Sequence, residues 1–167
     1  MPTKADIISS ITKELRIITH LAAKLQPQHL SFRFTPGQRS TQELLEYLAI
    51  TTEAAITTLL TGRSAIREEL ASKARGLPLS RFAETIAAQT QAAETLLAPV
   101  SEAEFATKRV RNGQGVELPL AEALFEGITK QLVGYKTQLF LQAKAAGVVG
   151  LGSADLWRGE PVAARAG

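Results

Sequence analysis

Four long stretches of this chain repeat apolar residues at three- and four-residue spacing, and proline or glycine closes each of them. Segments of that length and period form helices that must bury one face against one another. The first runs from about Lys4 to Leu25, with Ile7, Ile8, Ile11, Leu15, Ile18 and Leu21 or Ala22 in register, and Pro27 follows it. Thr35-Pro36-Gly37-Gln38-Arg39-Ser40 marks a turn. Ser40, with Glu43 three residues on, then predicts a capping box for a second helix reaching about Leu60. Its inward positions are Leu44, Leu48, Thr51 or Thr52, Ala55 and Leu59.

A short helix is expected over residues 64–74, and a third main helix from Ser80 to Leu97. Ser101 and Glu104 form another capping box, expected to open a single helical turn. Asn112-Gly113-Gln114-Gly115, inside Thr107 to Glu117, reads as a turn between two very short strands. Pro119 suits the first position of a last helix over about Leu120 to Ala146, which Gly147 ends. Leu124, Ile128, Leu132, Tyr135, Leu139 and Gln142 share one face of it. Leu156 and Trp157 are expected to fold back on the helices, and residues 159–167 to form a disordered small-residue tail. The expected architecture is therefore all-α: one domain over residues 1–158, a four-helix bundle with short extra helices and one long crossover.

Composition narrows the function. The 167 residues contain no cysteine, which excludes a disulfide framework, a cysteine zinc site and a thiol nucleophile. Net charge is +3, and the densest basic run, Lys108, Arg109 and Arg111, neutralises too few phosphates to hold a duplex. No nucleic-acid partner is expected. Nowhere do 18 apolar residues run together, so no membrane span is expected, and the cytoplasm is the expected location.

Two stretches resemble a known family. Residues 36–48 read Pro-Gly-Gln-Arg-Ser-Thr-Gln-Glu-Leu-Leu-Glu-Tyr-Leu, and residues 131–139 read Gln-Leu-Val-Gly-Tyr-Lys-Thr-Gln-Leu. The first resembles the DinB-like proteins' Ser-capped helix Glu-Leu-Leu-x-His-Leu; the second is similar to their last helix, His-x-x-x-His-Arg-x-Gln-Leu. The resemblance places the family's three metal-binding histidines on Tyr47, Gln131 and Tyr135, with Lys136 in place of the arginine and Gln138 and Leu139 matching. Tyr47 and Tyr135 are the chain's two tyrosines. What the resemblance implies is a four-helix bundle, often dimeric, whose relatives use a divalent metal for thiol transfer or isomerisation with low-molecular-weight thiols.

The replacements change that chemistry. Side chains four apart on one helix face, plus one from a facing helix, leave a metal position open to water or substrate. Imidazole is neutral and ready at pH 7, whereas a phenol of pKa ~10 must lose its proton at a cost of about 4 kcal/mol. A glutamine oxygen suits zinc or nickel poorly. Loss of the divalent metal is therefore expected; ferric iron, which tolerates phenolate, leaves a Tyr–Tyr ferric site as an alternative. His20 and His29, the only histidines, occupy no ligand position.

Two functional readings follow. One is a non-catalytic binding or dimerising bundle in which Tyr47, Gln131 and Tyr135 are packed. The other is a metal-independent small-molecule binder, or an enzyme using the former metal cleft, with Thr51, Lys136 and Gln138 as neighbours and Arg39 or Lys130 close by. An enzyme is the less favoured of the two, because nothing in the sequence places a base of suitable pKa there.

Overall fold

A computed structural model describes residues 2–160. Its helices are α1 (Lys4–Ala23), α2 (Thr41–Leu48), α3 (Thr51–Thr61), α4 (Ile66–Ala74), α5 (Leu79–Leu97), α6 (Glu102–Thr107), α7 (Leu120–Leu124), α8 (Lys130–Ala145) and α9 (Ser153–Arg158). A hairpin of β1 (Arg109–Arg111) and β2 (Glu117–Pro119) lies between α6 and α7, with Val110 opposite Leu118. The expected helical bundle is present, and both predicted capping boxes form at Ser40 and Ser101.

Helix α1 is the central element. Ile7, Ile11, Leu15, Ile17, Ile18 and Leu21 are all buried on it, and it packs along α5 and α8. Phe82, Ile86 and Leu97 of α5 and Leu132, Leu139 and Phe140 of α8 complete the core with Leu44, Leu45 and Leu48 of α2. Each such side chain contributes roughly 1.5–3 kcal/mol of burial.

Two of the predicted long helices are interrupted. The second breaks between Leu48 and Thr51 and bends by 41°. Ile50 leaves the helical region there (φ −130°, ψ −16°) and offers no side-chain cap. The buried amide of Gln89, on α5, supplies the missing acceptor: its Oε1 takes a hydrogen bond from the Glu53 N–H at 3.0 Å. Local apolar spacing carries no trace of a cap lent by another helix.

The last helix is likewise not continuous. A π-turn over Phe125–Thr129 separates α7 from α8. A π-turn inserts one residue into the helical repeat, which rotates everything after it by about 100°. The insertion therefore sets which side chains of α8 face α1 and which face α2. Pro119 is also displaced from the expected role: it ends β2 with extended ψ (142°) and precedes the helix instead of opening it.

After α8 the chain turns back, and α9 packs on α1, burying Leu156 but leaving Trp157 57% exposed. The expected tail lies outside the described residues apart from Gly159 and Glu160. No single helix among the described residues is long and apolar enough to cross a membrane; only the bent pair α2 and α3 reaches that length and composition together.

Asp155 is what pins α9 in place. Its fully buried carboxylate accepts from His20 Nε2 at 2.8 Å and from the Gly152 N–H at 2.9 Å, with Lys24 Nζ at 3.7 Å. Burial pushes its pKa up, but the hydrogen bonds from His20 and Gly152 and the charge of Lys24 outweigh it, so the group ionises below its ordinary value. A carboxyl lowered on folding stabilises above its unfolded pKa and loses that stabilisation as pH falls through the folded one. Chemical denaturation is accordingly expected to show stability falling below about pH 4. Asp155→Asn should flatten that acid limb and cost about 2 kcal/mol at pH 7.

Candidate functional site

The Ser40 cap starts α2 so that Tyr47 projects toward α8, which lies against it. Tyr135 and Gln131 sit four residues apart on α8 and share one face. The three positions do converge. The Tyr47 hydroxyl donates to Gln131 Oε1 at 3.4 Å, and the two tyrosine rings lie 4.9 Å apart at 59°.

Arg39, the residue before the cap, closes over them. Its guanidinium carbon lies 4.4 Å from the Tyr47 ring centre and 5.7 Å from that of Tyr135, and Nη1 donates to the Tyr135 hydroxyl at 3.4 Å. Arg67 of α4 approaches the Tyr47 ring at 5.9 Å. A guanidinium over two phenol faces is a stable cation–π arrangement.

The loop bearing Arg39 is held from below by α8. Gln142, fully buried, donates to the carbonyls of Arg39 (3.0 Å) and Phe32 (3.4 Å), and its own oxygen accepts from Gln138 at 3.0 Å. Gln138 thus serves the site through Gln142 and forms no hydrogen bond with either tyrosine. Gln142 could be seen in the sequence only as a polar residue in register with an apolar face; the loop carbonyls it serves are more than a hundred positions earlier in the chain.

Two expected neighbours stand elsewhere. Lys136 is turned away from the tyrosines: its buried Nζ lies 2.6 Å from Glu14 of α1 and 5.0 Å from the Trp157 ring centre. It follows Tyr135 by one residue, and one residue on a helix is a rotation of about 100°. Thr51 is buried at the start of α3, across the break from Tyr47, and forms no hydrogen bond with Tyr47 or Gln131. Lys130 is also outside, paired with Glu126 at 2.6 Å.

The histidines are structural. His29 Nδ1 accepts from the Gln26 N–H at 3.0 Å, and His20 holds Asp155. Among the described residues no three His, Cys, Asp or Glu side chains come together as a metal-holding group.

Beside the cluster lies a cleft of about 400 Å³ that the sequence reading did not anticipate. Ala55 and Leu59 of α3, Asn112 and Gly113 of the hairpin turn, and Gly127 and Ile128 of the π-turn form its walls. Gln131 reaches it, and so does Arg111, while neither tyrosine lines it. An adjoining cavity of about 300 Å³ shares Asn112, Gly113, Gly127 and Gln131. Volumes of this size fall in the range of small-molecule sites. The only signals for it in the sequence were the Asn112-Gly113 turn and an isolated glycine at 127.

No family profile and no curated protein matches the sequence. In fold, the chain is similar to the crystal structure of a DinB-like protein, YjoA, from Bacillus subtilis, with a TM-score of 0.66 and 17% identity over 87% of this chain and 94% of that one. The resemblance drawn from residues 36–48 and 131–139 thus extends to the whole architecture.

The contact between Arg39 and Tyr47 is measurable. A double-mutant cycle of Arg39→Ala and Tyr47→Leu, read by urea denaturation, is expected to give a coupling of about 0.5–1 kcal/mol. Strict additivity would place the guanidinium away from the ring.

Proposed function

We propose that this chain, which has the DinB-like fold, is a metal-independent, non-catalytic binding bundle. In this reading a cation–aromatic cluster stands where the resemblance puts a metal site, and the adjoining cleft does the binding. The observation that carries the reading is Arg39, whose permanent charge lies 4.4 Å from one tyrosine ring and hydrogen-bonds the other tyrosine.

The donor set agrees with it. Tyr47, Gln131 and Tyr135 do not fit a divalent metal, because two of them must first be deprotonated and the third is a weak neutral oxygen. A guanidinium over the rings repels a cation entering between them, and it also answers the electron-rich phenol faces that a ligand would otherwise meet. Nothing in the cluster serves as a general base poised near neutral pH, so proton-transfer chemistry has no evident agent there.

Elemental analysis of protein purified without added metal is expected to find only substoichiometric zinc, nickel and iron. The variant Y47H/Q131H/Y135H with Arg39→Ala is expected to gain one equivalent of zinc, since histidines at these positions present three neutral imidazoles to one point. One tightly held equivalent in the natural protein would overturn the proposal. Failure of the four-site variant, once shown to be folded, to bind zinc would mean that the positions do not form the geometry assigned to them.

A further inference from the structure

We infer that the cleft beside the cluster takes a small amphipathic carboxylate, with its apolar body between α3 and the π-turn and its charged head on Arg111. The inference deepens the binding reading above and rests on it.

Shape and polarity both lead there. The interior is built by Ala55, Leu59 and Ile128, which offer no hydrogen bonds. Thr58 uses its hydroxyl hydrogen on the Ala54 carbonyl at 2.7 Å, and Ser64 adds a second hydroxyl to the lining. The nitrogen groups left over on the walls are donors. Asn112 Oδ1 is occupied by the N–H groups of Gln114 and Val116 at 3.0 and 2.9 Å, so its amide NH₂ remains. Gln131 Oε1 is occupied by the Tyr47 hydroxyl, which leaves its NH₂ as well.

Arg111 supplies the charge. Glu117 is its cross-strand partner in the hairpin, yet the Glu117 carboxylate turns to Arg109 at 2.9 Å. Among the described residues Arg111 has no carboxylate partner, and the same holds for Arg39 and Arg67 beside the Tyr47 ring. Arg33, Arg63, Arg75, Arg81, Arg109 and Arg158 are paired, and Arg16 on α1, away from the cleft, is not. The acidic residue nearby, Glu126 on the wall of the smaller cavity, is neutralised by Lys130. A largely apolar pocket with two free amide donors and an unpaired guanidinium on its walls selects an anion with an apolar body.

Hexanoate and its uncharged counterpart hexanol serve as probes, titrated into the full-length protein and followed by amide chemical shifts. Saturable one-to-one binding of hexanoate is expected, with shifts centred on residues 111–113, 127 and 131, and hexanol should bind roughly tenfold more weakly. Arg111→Ala should weaken hexanoate by about tenfold and leave hexanol unchanged. Gly127→Leu should abolish binding of both, because a Cβ at 127, on the cleft wall, meets nothing within 4 Å and leaves room for a leucine to fill the space a ligand would use. A retained thermal transition shows that this variant still folds. Equal affinity for the two probes, hexanoate binding indifferent to Arg111→Ala or Gly127→Leu, or no saturable binding would overturn the inference. Each of these outcomes leaves the metal content of the protein unaltered, so failure here is distinct from failure of the metal-independent reading.

Discussion

An ammonium and a carboxylate face each other at 2.6 Å inside this bundle, and the rotation of α8 depends on keeping them together. Lys136 is 2% exposed and Glu14 11%. The ammonium approaches Oε2 off the hydrogen-bonding direction, so that oxygen has no aligned donor and the attraction is chiefly Coulombic. Breaking such a pair strands a buried charge, whereas removing both partners is often neutral. Lys136 therefore has to face α1. With Lys136 so placed, Tyr135 must point about 100° away, toward α2 and Tyr47. Trp157 of α9 then lies 5.0 Å from the ammonium.

The two interruptions in the long helices build on that orientation. The break after Leu48 lets α2 carry Tyr47 toward α8 while α3 continues at 41° along α5. The π-turn at Phe125–Thr129 resets the helical phase between the hairpin and the cluster. Between these irregularities lies the cleft: α3 on one wall, the π-turn on another, the hairpin turn at its mouth. An uninterrupted pair of helices would pack side to side and close that space, as ridges settle into grooves along regular helices.

How far the sequence foretold this follows from which interactions are local. Capping boxes at Ser40 and Ser101 and the apolar stripes of α1 and α5 are short-range patterns, and they appeared where expected. The convergence of Tyr47, Gln131 and Tyr135 was legible through a family pattern and four-residue spacing. The remaining features depend on partners distant in the chain. Gln89 capping α3, Gln142 holding the Arg39 loop, Glu14 capturing Lys136 and Asp155 capturing His20 each join segments far apart in the chain. All four are polar side chains at buried positions, and burial of a polar group requires a partner that periodicity cannot name. Lys136 was misplaced for that reason: read along α8 it neighbours the tyrosines, and only the position of Glu14 reveals that it faces the other way.

The most direct test is the thermodynamic coupling between Glu14 and Lys136. Denaturant unfolding of Glu14→Leu, Lys136→Met and the double variant is predicted to show each single change costing about 3–5 kcal/mol and the double change costing far less than either. Single effects that simply add in the double variant would contradict the account, because the pair would then not be what fixes α8 against α1.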